Sequence, residues 1–201
     1  GYNVRQMARD CVALLEQVAA LPAVVMGHSM GGAIALAMAV EHPQAVRAII
    51  PVDAAYGIGA ELGPLVAQVV QGLHGPEWQA AAAVLFERFY TPATPPHLPT
   101  WHQRRAFSMP SHVVAKAMEG IMAVPDQFAI QPASDPYLAG VRVPVFTVRV
   151  GEGALQSVVA EAARFPNAVH AGKGFPDSGH WPHQEDPPAF NEAVLSWLKA
   201  L

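Results

Sequence analysis

The chain has 201 residues, enough for one domain with a sizeable core, and with 52% apolar and 14% charged residues it is not a disordered segment. A net charge of −4 with scattered basic residues leaves no footprint for nucleic acid, and no apolar run is long enough to span a bilayer. A single cysteine, Cys11, excludes an internal disulfide.

Residues 3–21 read as a helix. Val4, Met7, Cys11, Leu14 and Leu15, then Val18 and Leu21, recur at spacings of three and four, which puts the Cys11 thiol on the buried stripe. Asn3 with Gln6 resembles a capping box, and Pro22 stops the helix. Arg5, Arg9 and Asp10 break up anything like a signal peptide, so a cytoplasmic setting is expected. Residues 23–26 are an apolar run without alternation, as in a strand buried on both faces. An alanine-rich helix over 31–40 ends before His42-Pro43. A second buried strand follows over 48–53, with Pro51 suggesting a bulge or a local edge.

From residue 54 to about 140 the alternation lapses into helices over 61–73, 77–90 and 111–122, with the proline-rich stretch 91–100 as a loop. It then resumes as a strand over 145–150, a helix over 155–165, a short strand over 168–171 and a helix over 189–201. Strands alternating with helices imply a mostly parallel sheet flanked by helices. The expected organisation is a core part over 1–53, a helical lid over 54–140 inserted after the second strand, and a second core part over 141–201.

Gly27-His28-Ser29-Met30-Gly31 fits the G-x-S-x-G elbow, in which a serine occupies a strained strand-to-helix turn. A Cβ at either glycine is expected to collide with the neighbouring strand or helix. The helix aims its N-terminus at the site, and the Met30 amide is placed to stabilise an oxyanion. A serine hydroxyl needs a base, and in chain order the acid and then the histidine follow the serine. His180, in 177-DSGHWPHQEDPPAF-190, occupies a loop before the last helix from which it can swing over the strand ends to Ser29. His183 makes a His-x-x-His pair with it, but without a third ligand no metal is expected. His28 is expected beside the elbow as a satisfied polar residue, and His74, His97, His102 and His112 on the lid's surface or pocket wall.

At these residues the chain resembles an α/β-hydrolase of the small-molecule esterase and lactonase type, over essentially everything but the lid. GHSMGG, EHPQAVRAIIPVD, VRVPVFTVRVG and SGHWPHQEDPPAF match that family in order and spacing. The resemblance implies a catalytic acid three residues beyond Gly151, yet Ala154 stands there. Three readings stay open: Asp53, at the end of the second strand where a minority of the family places the acid, Glu152, one residue past Gly151, or no acid at all; Asp177 is a poor rival because it sits in the histidine loop itself. The family also has strands before the elbow that supply a second oxyanion donor. This chain is therefore expected to be the C-terminal portion of such a fold, with an upstream fragment or a second chain completing the sheet.

The aromatic and methionine residues of the lid suggest an apolar pocket above Ser29, with Trp101, Phe107 and Met109 in its wall beside Trp181. The expected function is a cofactor-independent serine hydrolase cleaving a hydrophobic carboxylic ester or lactone through an acyl-enzyme, with Ser29, His180 and Asp53 as its triad. Two alternatives stand beside it. One is a carbon–carbon bond hydrolase or another cofactor-independent enzyme on this fold; the other is an inactive homologue that binds a small molecule.

Overall fold

The computed structural model describes residues 1–122 and 128–201; residues 123–127, inside the expected lid, lie outside the described residues. Strands β1 (Ala23–His28), β2 (Val46–Val52), β3 (Val145–Val150) and β4 (His170–Phe175) form one parallel sheet in the order β1-β2-β3-β4. β2 is the innermost in character: every residue but Arg47 is buried, and its neighbours face opposite ways. Ile49 joins the apolar cluster on one face of the sheet and Ile50 the cluster on the other. Four strands in parallel need crossovers, and the helices that make them cover the two faces.

On the first face, α2 (Met30–Glu41) packs against β1 and β2, and α1 (Val4–Gln17) packs on α2. α2 is rich in alanine and buried from Ala35 through Ala39, so its small side chains let strand and outer helix approach it from two sides. On the second face, Phe190 and Val194 of α10 (Pro187–Ala200) pack with Phe146 and Val148. α8 (Ala154–Ala162) packs on β3 and β4. Between β2 and β3 run α3 (Gly63–His74), α4 (Trp78–Glu87), α5 (His97–Phe107), α6 (Ser111–Met122) and α7 (Asp135–Gly140). The first four of these gather their own small apolar cluster around Leu73, Ala82 and Ala115. Among the described residues no helix is long and apolar enough to cross a membrane.

Several expectations need correction. The stripe of α1 is rotated: Val4, Ala8 and Val12 are buried with Leu15 against them, whereas Cys11 is exposed and Leu14 and Val18 point to solvent. Partial desolvation against the helix and the neighbouring Asp10 still raise the Cys11 pKa. β1 is half-buried at the sheet edge, with Met26 55% exposed, rather than buried on both faces. Pro51 makes neither an edge nor a bulge, since it lies in an internal strand opposite Gly27 and the register shift falls at Ala23/Val24. It costs one rung instead. Ile49 N–H donates to Pro144 O and Asp53 N–H to Val148 O, and the residue midway between them has no N–H to give. α5, α7 and the short helix α9 (Pro182–Glu185) occupy segments to which no helix was assigned, and β4 starts two residues late.

Candidate active site

Parallel strands gather their carboxyl ends on one edge, the usual place for a ligand site in an open α/β sheet. Here that edge carries Ser29 after β1, Asp53 after β2 and the His180 loop after β4. Ser29 sits at φ 54° and ψ −119°, a conformation an L-residue adopts only under constraint, at roughly 1–3 kcal/mol. The constraint is visible: Ser29 N–H donates to Val52 O at 2.9 Å, and Ser29 O accepts from Gly32 N–H at 3.0 Å and Ala55 N–H at 3.1 Å. A Cβ on Gly27 would lie 2.1 Å from Gly31 O, as expected. The same expectation fails at Gly31, where a Cβ meets nothing within 4 Å; the second crowded glycine is Gly32, 2.3 Å from Ala54 Cβ. Met30 begins α2, so its amide is one of the free N–H groups of that helix end.

Asp53 is also left-handed, at φ 40°. Its Oδ2 lies 2.5 Å from Nδ1 of His180, across 127 residues of chain. A carboxylate can only accept, so Nδ1 carries the proton and the Nε2 lone pair is left available, the tautomer that can take a proton from a hydroxyl. The backbone of His180 is held on both sides. Its N–H donates to Phe89 O at 2.8 Å, and its carbonyl accepts from Nε2–H of His28 at 2.7 Å. The ring of Phe89 stacks on the imidazole with centroids 4.5 Å apart. Burial, with His180 adding to it, pushes the His28 pKa down to about 3, so His28 stays a neutral donor across the working pH range. Glu152 is exposed and lies away from this group.

Two further residues support the site: Arg149, which sequence reasoning passed over, and His102, which it placed differently. Arg149, on β3, donates from Nη1 to Ala54 O at 3.0 Å and from Nε to Glu161 Oε1 at 3.1 Å, with a further close contact from Nη2 to Glu161. The same Nη1 is 3.9 Å from Asp53 Oδ1. An arginine inside the apolar strand VFTVRV was the available signal, because a cation there requires a partner. His102 of α5 is buried rather than on the surface or in the pocket wall. It accepts from Tyr90 O–H at 3.2 Å, donates to Gln184 Oε1 at 2.9 Å and stacks on Trp181, so it ties the intervening helices to the histidine loop. Among the described residues no group of three or more His, Cys, Asp or Glu side chains could hold a metal.

Ser29, Met30, Asp53, Arg149, His180 and Trp181 line one cavity of about 590 Å³. Its remaining wall is largely apolar and comes mainly from α3, α4 and α6, with Val69, Leu85 and Met118 as examples. Met109 lines it as expected. Trp101 and Phe107 do not: Trp101 is 59% exposed and packs edge-on to His97, while Phe107 packs edge-on to Trp78 among the helices. Both lie on α5, whose helical rotation the proline-rich sequence concealed.

A sequence profile of the Alpha/beta hydrolase family matches residues 1–193. Among curated relatives, the chain is 27% identical to the sn-1-specific diacylglycerol lipase of Mus musculus, the alignment covering 96% of this chain and 64% of that protein. It is 23% identical to 3-oxoadipate enol-lactonase 2 of Acinetobacter baylyi, over 98% of this chain and 72% of that one. Among solved structures, Est816, described as an N-acyl homoserine lactone degrading enzyme, superposes with a TM-score of 0.75 at 26% identity, covering 98% of this chain and 75% of that one. A thermophilic esterase from Thermogutta terrifontis shares the fold with a TM-score of 0.80 at 22% identity, over 98% and 72% of the two chains. The chain thus spans less than two thirds of the mouse lipase's length. With the parallel sheet, the strand-end elbow and a profile match over nearly the whole sequence in agreement, the chain belongs to the alpha/beta hydrolase family.

Proposed function

We propose that this chain is a serine hydrolase that cleaves a hydrophobic carboxylic ester or lactone through an acyl-enzyme. The observation that carries the reading is the 2.5 Å contact between Asp53 Oδ2 and His180 Nδ1 in the largely apolar cavity that Ser29 also lines. In the proposed cycle, Nε2 of His180 takes the proton of the Ser29 hydroxyl as its oxygen attacks the ester carbonyl. The Met30 N–H donates to the oxyanion that forms. Collapse expels the alkoxide, which takes the proton back from His180, and a water molecule repeats the sequence to release the acid. Asp53 holds the imidazole tautomer and stabilises its cation. No step needs a cofactor. The helices between β2 and β3 act as a lid whose apolar inner wall selects a neutral acyl or ring portion. The mouse lipase, the Acinetobacter baylyi enol-lactonase and the N-acyl homoserine lactone degrading enzyme among the relatives support an ester or lactone as the bond broken.

A fluorophosphonate probe followed by peptide mapping tests this. One adduct is expected, on Ser29, absent from S29A; neutral aryl and cyclic esters should turn over and polyanionic ones should not. An adduct on another residue, or none on folded protein, would sink the reading.

A further inference from the structure

Arg149 has no part in the reaction just proposed, yet it is the cation closest to its acid. Its side chain is 16% exposed and that of its partner Glu161 is 5% exposed. Glu161 on α8 engages one edge of the guanidinium, and Nη1 on the other donates to the carbonyl of Ala54. The residue gripped is the one that follows Asp53. Asp53 itself sits at φ 40°, and the next amide, Ala55 N–H, donates to the carbonyl of Ser29. The guanidinium therefore holds a short turn that carries the acid at one end and touches the nucleophile's backbone at the other. It lies over the ring of Tyr56 at 4.8 Å, which closes the turn from below. A planar guanidinium reaches a carboxylate on one edge and a carbonyl on the other at fixed angles, a span and direction that the compact, freely rotating ammonium of lysine does not impose.

We propose that Arg149 is a positioning residue for the proposed hydrolase: anchored by Glu161, it fixes the turn that presents Asp53 to His180 and offsets part of that carboxylate's charge. The inference rests on the serine-hydrolase reading. Two effects follow from removing it. The turn loosens, so the Asp53–His180 contact is misplaced. The carboxylate's charge also falls more fully on the imidazole, which favours the imidazolium and moves the acid limb of the rate profile to higher pH. The other ionisable groups around His180 are His28, His102 and His183 towards its own loop, Glu185 on the Gly179 amide, and Arg88, which also lines the cavity. None of them contacts the Ala54 carbonyl.

The test measures kcat/KM for a neutral aryl ester against pH in wild type, R149M, R149K, D53N and D53N/R149M. R149M should lose roughly 10- to 100-fold in kcat. Its acid limb should move up by about half a unit to one unit. R149K should keep the wild-type limb yet stay slow, because it retains charge without the fork. In the D53N background the R149M change should add nothing, the signature of action through Asp53. Should R149M not fold, R149K and D53N/R149K carry the same comparison. Additive losses, or a folded R149M with unchanged kcat and pH profile, would overturn the proposal. Failure of wild type to label at Ser29 would instead bring down the hydrolase reading, and this proposal with it.

Discussion

At the scale of single residues, the two carboxylates that the sequence left open are separated by placement. Asp53 is fixed by its own N–H to Val148 O and brought to 2.5 Å from His180 Nδ1, while Glu152 sits exposed beyond β3. Under the proposed mechanism, Asp53→Asn keeps the shape but presents an amide that cannot stabilise an imidazolium and can favour the wrong tautomer. kcat should then fall by roughly 10³- to 10⁴-fold. Glu152→Gln should stay within about twofold of wild type, as expected of an exposed side chain away from the chemistry. Steady-state kinetics on the two variants decides between them; a large loss in E152Q with a small one in D53N would reverse the assignment. The positions of Ser29 at a strand end and His180 in the last loop were legible because each sits in a local pattern. Which carboxylate meets His180 was not, since Asp53 lies 127 residues away and no local pattern encodes that distance.

At the scale of elements, what the sequence revealed depended on how directly packing follows from pattern. β3 came out at its observed ends and α6 at its observed start, because an apolar strand between Pro144 and Gly151 and a helix starting directly after Pro110 each leave little choice. α1 was found but rotated. Its inward set includes the small Ala8, while Leu14 and Val18 are outward, so the larger apolar side chains drew the stripe towards the wrong face. α5 was missed because Pro95, Pro96 and Pro99 read as a loop, although Pro99 falls in the first turn, where no intrahelical N–H is required. The buried role of His102 disappeared with that helix. The elbow gives an element-scale prediction of the same kind. Gly32→Ala forces a methyl against Ala54 at the α2–turn contact and should cost about 1–3 kcal/mol. Gly31→Ala enters open space in a helix and should be neutral or stabilising by up to about 1 kcal/mol. Denaturant unfolding of the two variants measures both. Equal losses would restore the symmetric role that the motif alone implied.

At the scale of the whole molecule, the site is a seam. Ser29 and Asp53 precede the long helical segment in the chain and His180 follows it, so assembling the three requires the sheet to close around β2 and β3. The seam is lined with imidazoles that folding keeps neutral. Burial lowers the pKa of His28 to about 3, and burial also lowers those of His102 and His183; His180 adds to the push in each case, after Arg105 at His102. In the unfolded chain these groups return towards 6.5. Below that value the unfolded state binds more protons than the folded one, so stability is complete near neutrality and is lost as the pH falls. His28 alone should lose on the order of 2 kcal/mol between pH 7 and pH 5, or roughly 4–8 °C in Tm for a chain of this size. His28→Gln keeps a donor for the His180 carbonyl but cannot titrate. Its Tm should therefore fall less steeply over the same interval, whatever its value at pH 7. Thermal melts at pH 7, 6 and 5 for wild type and H28Q read this directly. A Tm that holds steady or rises on acidification, or slopes that coincide in the two proteins, would show that His28 does not carry this proton linkage.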